Sequence, residues 1–178
     1  RVNVSGTPKM MYGLNIAFGY KGFDIGAFIQ GTGKVHLLYG SGDGTLPFNN
    51  GANSPNLYAA VVDRWTPDNT NPHPFYPRLS SNQDPTSNFL VSDWWLHPAD
   101  FIRLKSAELG YTLPAGFLRR HKVKNLRLFI NGTNLITISS WKYWDPELND
   151  SGTSSTTVSR GGFYPNIRAF NFGARVTF

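Results

Sequence analysis

Four histidines, His36, His73, His97 and His121, are the first candidates for metal ligation or proton transfer. They lie far apart in the chain, and no two share a metal-ligand spacing. With no cysteine, neither a thiolate metal site nor a disulfide framework can form. Serine, histidine and aspartate are all present, but nothing resembles a nucleophile elbow. The glycine-rich GSGDG at 40–44 lacks the Lys-Ser/Thr of a phosphate loop and the spaced acids of an EF-hand, so a flexible loop is its better reading. In WDPELN at 144–149, Asp145 and Glu147 are two carboxylates without further oxygen ligands, which is weak support for Ca²⁺. Asn131-Gly132-Thr133 fits a glycosylation acceptor but falls within a strand. These residues point away from an enzyme and require no metal and no cofactor.

The aromatic residues offer more. Trp94, Trp95, Trp141, Tyr143 and Trp144 stand in or beside long loops. Exposed indoles stack on sugar rings and peptide side chains and anchor protein interfaces. The same rings can equally pack one loop onto another. Both readings stay open for each residue.

The elements that hold these loops follow a period of two. In Met10 to Tyr20, Tyr12, Leu14, Ile16, Phe18 and Tyr20 share one parity, and Gly13, Asn15, Ala17 and Gly19 share the other. That is a strand with one large apolar face and one small or polar face. Lys21-Gly22 forms a tight turn, and Phe23 to Gly31 repeats the alternation, so the pair is a hairpin. Residues 34–99 are rich in proline and glycine, and Asn56 to Trp65 is read as a short helix inside them. In FIRLKSAELGYTLP at 101–114 the apolar parity switches near Lys105-Ser106, which predicts a β-bulge or two short strands. A turn, PAGFLRRHKVKN, leads to a strand from Leu126 to about Ile136. A polar loop then runs from Ser139 to Pro165. The last strand is Arg168 to Phe178, with Phe170, Phe172, Ala174, Val176 and Phe178 on one face.

Composition agrees with an all-β chain. Of 178 residues, 15% are aromatic and only 16% are charged, with 18 Gly and 12 Pro. Soluble domains average about 25% charged. The net charge of +6 invites a nucleic-acid reading, but the only dense basic cluster, Arg119, Arg120, Lys122 and Lys124 around His121, reads as a solvated turn, so no nucleic-acid partner is expected. No apolar run of about 18 residues exists for a transmembrane helix, which leaves strand-built membrane proteins untouched.

The connections separate a soluble sandwich from a membrane barrel. They alternate short, very long, short and long along the chain. Antiparallel strands place successive connections at opposite ends, so all the long loops share one end. Strands of about 9–11 residues suit a tilted crossing of the hydrocarbon layer. No Lys, Arg, Asp or Glu stands at the apolar parity of the first hairpin or of the final strand from Phe170 onward. Tyr12, Phe18, Tyr20, Phe23, Tyr111 and Phe178 lie near strand ends, where interfacial rings are favoured. The fold class expected is an antiparallel transmembrane β-barrel segment of about five strands with two long extracellular loops.

Six segments in order then resemble a known family: YGLNIAFGYKGFDIGAFIQGTG at 12–33, DRWTPDNTN at 63–71 with YPRL at 76–79, DFIRLKSAELGYTLP at 100–114, VKNLRLFINGTNLITISSW at 123–141, WDPELN at 144–149 and YPNIRAFNFGARVTF at 164–178. The chain is similar to the C-terminal barrel strands of SusC/RagA-like TonB-dependent transporters of Bacteroidetes. Phe178 resembles the terminal aromatic read by the barrel-assembly machinery. The resemblance implies a larger protein, with a plug domain and earlier strands outside residues 1–178 and a barrel of about 22 strands. It also implies an outer-membrane location, a SusD-like surface lipoprotein, the TonB complex and an oligosaccharide or peptide substrate. Strand parity places Asn15, Gln30, Arg127, Asn131, Asn171 and Arg175 toward the lumen. Arg127, Asn131 and Arg175 join the loop aromatics as candidate ligand contacts. A secreted all-β carbohydrate-binding module and a passive porin-like channel are the alternatives.

Overall fold

The computed structural model describes residues 7–38, 59–78, 92–118, 123–142, 145–147 and 164–178. GSGDG at 40–44, Arg119 to Lys122, Tyr143 and Trp144 lie outside these residues. Seven strands and one helix are labelled in chain order: β1 Met10–Tyr20, β2 Phe23–Gly33, β3 His36–Leu38, β4 Leu96–Pro98, β5 Phe101–Thr112, α1 Ala115–Leu118, β6 Asn125–Ser139 and β7 Ala169–Thr177.

Five strands form one antiparallel sheet in the order β1-β2-β5-β6-β7. The predicted hairpin is present. Lys21 and Gly22 both adopt positive φ, 46° and 88°, the backbone of a two-residue turn that matches strand twist. Gly22 is required there twice over: its φ disfavours a side chain, and a Cβ would lie 2.8 Å from the Thr112 carbonyl oxygen. Thr112 N–H donates to the Gly22 carbonyl at 2.7 Å, which docks the turn on the end of β5.

Register lines up whole rungs by chemistry. Phe18, Ile25, Leu109, Ile130 and Phe172 are successive partners across the sheet, as are Tyr20, Phe23, Tyr111, Leu128 and Ala174. These rungs contain no charge, and all their side chains but the half-buried Tyr111 are exposed, Phe18 by 63% and Phe172 by 79%. The alternate rungs run Ala17, Gly26, Glu108, Asn131, Asn171 and Gly19, Asp24, Gly110, Phe129, Gly173. The sheet therefore has one apolar face and one small or polar face. β1 and β7 are its two edges, so these five strands are an open sheet.

The parity switch expected near Lys105 is a register shift in β5 between Leu104 and Ser106. It continues into β6. Between the same two rungs β2 steps from Ala27 to Ile29, β5 from Leu104 to Ala107, and β6 from Gly132 to Ile136. Each strand takes one residue more than its neighbour. Asn134, at φ 52°, supplies the left-handed turn that the extra residue in β6 needs. The sheet places Met10, Gly33, Phe101, Ser139 and Ala169 at one end, so both long connections leave from that end.

The chain divides into two units, one of residues 8–35, 99–146 and 165–178 with the sheet, the other of residues 1–7, 36–98 and 147–164. In the second, β3 and β4 pair antiparallel. Its core is aromatic, with Tyr76 and Trp95 essentially inaccessible and Val61 and Phe75 buried. Of the helix expected over 56–65, residues 56–58 lie outside the described residues, and the remainder holds a 3-10 turn at Ala59–Val62. The chain leaves that turn because Arg64 bridges Tyr76: Tyr76 N–H donates to Asp63 O at 3.0 Å, and Trp65 N–H to Tyr76 O at 2.8 Å. In DRWTPDNTN, Asp63 Oδ1 accepts from Asn71 Nδ2 at 3.0 Å, and Asn69 Nδ2 donates to Arg64 O at 2.6 Å.

Candidate functional site

The polar face of the sheet carries a linked set of side chains on β2, β5, β6 and β7. Arg127 Nε donates to Asp24 Oδ1 at 3.0 Å, and its Nη2 binds Asp24 Oδ2. The same Nη2 meets Glu108 Oε1 at 2.6 Å. Asn131 Nδ2 reaches Glu108 Oε2 at 3.4 Å, and Asn171 Nδ2 donates to Asn131 Oδ1 at 2.9 Å. Parity makes this possible, because all five residues fall on one face of strands that neighbour one another. Phe129 lies beneath the guanidinium, 5.2 Å from Arg127 Cζ, and covers Gly173, where a Cβ would collide with the ring. Arg127 is thus held by two carboxylates, and the cluster has an excess of one negative charge.

A second feature lies at the long-loop end of the same face. A groove of about 600 Å³ is lined by Arg103, Thr137, Ser139, Trp141, Asp145 and Asn166, together with Lys142 and Arg168. Arg103 and Thr137 are register partners, so the groove opens on the polar side of β5 and β6. At its base Arg103 Nη2 meets Asp145 Oδ1 at 2.6 Å, with both side chains buried. The other carboxylate oxygen accepts from Asn166 N–H at 3.0 Å. A buried arginine holds its charge only when paired and hydrogen-bonded. Here the bridge draws three separate segments, FIRLK, WDPELN and YPNIR, to one point. Among the described residues no group of three acidic or histidine side chains could hold a metal ion.

Of the eight candidate ligand residues, Tyr143 and Trp144 lie outside the described residues, and the other six divide between the two units. Arg127 and Asn131 belong to the linked cluster, and Arg175, the register partner of Arg127, is exposed on the same face. Trp141 is buried in the groove wall, its backbone N–H donating to Ser139 Oγ at 3.0 Å. Trp94 and Trp95 lie in the other unit. Trp95 is 1% exposed and Trp94 42%, with the Trp94 indole N–H on the Phe75 carbonyl at 3.2 Å. Sequence reading missed Asp24, Glu108, Arg103, Lys142 and Arg168. Parity alone could have paired Asp24 and Glu108 with Arg127.

No protein-family model matches the chain. A TonB-dependent receptor of Formosa agariphila is 29% identical over 177 residues, covering 97% of this chain and 16% of that receptor. A second TonB-dependent receptor of the same organism is 30% identical over 175 residues, covering 96% of this chain and 17% of its own length. The chain thus spans about a sixth of the curated relatives it matches. Among solved structures, that of the RagAB peptide transporter covers the whole chain with a TM-score of 0.72 at 22% identity, and this chain covers 18% of it. The RagAB importer in its closed-closed state gives 0.68 at 21% identity. These structures share the fold of the sheet. The curated relatives are named as receptors and the solved structures as transporters, none as an enzyme, and the match extends over nearly the whole chain, in line with the resemblance to SusC/RagA-like TonB-dependent transporters.

Proposed function

We propose that residues 1–178 form part of the barrel wall of an outer-membrane importer driven through TonB, with the plug and the remaining strands supplied elsewhere in the same protein. One observation carries this reading: uncharged apolar rungs cross the five strands on one face, while the ion pairs of Arg127 with Asp24 and Glu108 and of Arg103 with Asp145 lie on the other. Lipid is the solvent that suits such a wall. Open edges are not tolerated in hydrocarbon, so β1 and β7 pair with further strands of a closed barrel. The location is the outer membrane of a Gram-negative bacterium, with the long connections outside the cell.

The substrate is an oligosaccharide or a peptide, captured with a SusD-like lipoprotein. The likeness to a structure titled as a peptide transporter favours the peptide. Trp94, Arg175, Tyr143 and Trp144 are the proposed ligand contacts. Trp95, Trp141, Arg127 and Asn131 support them from packed or paired positions.

The test is uptake of labelled oligopeptides and oligosaccharides by cells carrying the intact receptor, with and without TonB. Uptake lost with TonB is expected. Uptake that survives its loss overturns the reading in favour of a passive channel. A purified chain that is folded and monomeric without detergent overturns it in favour of a secreted binding module.

A further inference from the structure

The two polar features of the sheet differ in charge. In the linked cluster one guanidinium meets two carboxylates. Among the described residues of the groove, three cations, Arg103, Lys142 and Arg168, stand against one carboxylate, Asp145, whose two oxygens already receive Arg103 and the Asn166 amide. Arg103 is spent on that bridge. Lys142 and Arg168 are exposed, and among the described residues neither is paired with a carboxylate. Of the rest of the lining, Thr137 offers a hydroxyl, while the Ser139 hydroxyl already donates to Asp100 O at 3.1 Å and the Asn134 amide to Ile167 O at 3.1 Å. A concave site with a hydroxyl and two uncompensated cations selects an anionic group.

We infer that this groove is a carboxylate-binding subsite at the mouth of the importer, with Lys142 and Arg168 as the charged contacts and the Arg103–Asp145 bridge as the frame that positions them. The inference rests on the transport reading above and deepens it, since it assigns an acidic character to the cargo. The carboxylate can come from an acidic peptide or from a uronic-acid oligosaccharide, and both present the same planar anion. The negative cluster around Arg127 lies elsewhere on the same face. A carboxylate-bearing cargo is therefore attracted at the mouth, whereas at that cluster the Arg127 charge is already taken by Asp24 and Glu108.

The experiment measures binding to the intact receptor in detergent, with two matched probe pairs. One is an aspartate-containing octapeptide and its asparagine counterpart. The other is hexagalacturonate and its methyl ester. In the wild type the charged member of one pair binds about tenfold more tightly than its neutral partner, the effect of one charge-assisted hydrogen bond. The double variant K142Q/R168Q abolishes that difference, weakening the charged probe more than the neutral one. K142R/R168K, which keeps both charges, retains the discrimination, so a folding defect is separated from a charge effect. The pair that discriminates identifies the source of the carboxylate. Equal binding of charged and neutral probes, or discrimination that survives K142Q/R168Q, overturns the inference while leaving transport intact. Binding of none of the four probes overturns the transport reading for these cargo classes and the subsite with it.

Discussion

Arg127 on β6 reaches across β5 to Asp24 on β2, and it passes over Gly110 to do so. Asp24 and Gly110 are register partners, and a Cβ on Gly110 would meet both the Arg127 guanidinium and Asp24 Oδ1. The glycine is thus a gap in β5 through which an ion pair joins strands that are not neighbours.

Gly110→Ala should therefore break this link and cost about 1–3 kcal/mol by overpacking. The loss should be smaller when Arg127 is also alanine, because the obstructing group is gone. Denaturant unfolding of the intact receptor in detergent checks both. Equal losses in the two backgrounds would show that the glycine serves something other than this ion pair.

The apolar rungs make a prediction of their own. Ile16→Lys places a charge on the outward face near the middle of β1 and should cost about 2–4 kcal/mol in a bilayer. Asn15→Lys, one residue away on the other face, should be tolerated. The amount of heat-modifiable receptor in outer-membrane fractions compares them, and equal yields would argue against lipid on this face.

Adjacent tryptophans should behave differently. Trp95 is closed in the aromatic core, so Trp95→Ala should cost about 3–5 kcal/mol. Trp94→Ala should leave stability nearly unchanged and weaken substrate or partner binding. Thermal unfolding and binding measured on the same two variants separate a packing role from a contact role.

His97 gives a pH dependence with a definite sign. It stacks on Phe75 at 4.9 Å, and burial lowers its pKa below the ordinary histidine value. The unfolded chain then takes up a proton at a higher pH than the folded one. Stability is full above about pH 6.5 and falls as pH drops through the depressed value. Limited proteolysis of residues 59–98 should accelerate as the medium is acidified from pH 7 to pH 5. His97→Phe, which keeps the stack and loses the proton site, should remove that dependence.

Much of the sheet was legible because its residues obey one simple rule. Tyr12 to Tyr20 and Phe170 to Val176 alternate without exception, so strand, face and register follow from period two. The turn at Lys21-Gly22 was equally plain. The groove was not legible, because its residues are joined by space alone: Arg103 and Asp145 are 42 positions apart. The paired β3 and β4 were missed because strands of three residues are too short for a period to show. Asn56 to Trp65 misled as a helix because its apolar spacing competes with a long-range bridge, Arg64 to Tyr76, that local pattern cannot reveal.

The unequal step lengths of β2, β5 and β6 bear on how this site can evolve. The extra residue in β5 is what turns Ile102 and Leu104 outward and Arg103 inward: were Lys105 paired as an ordinary strand residue, all three would face the opposite way, and Arg103 would stand toward lipid and away from Asp145. Excision of Lys105 would instead close the bulge and keep those faces, leaving a step of two residues in β5 against one of four in β6. The chemistry of the groove is thus encoded in the bulge as much as in side-chain identity.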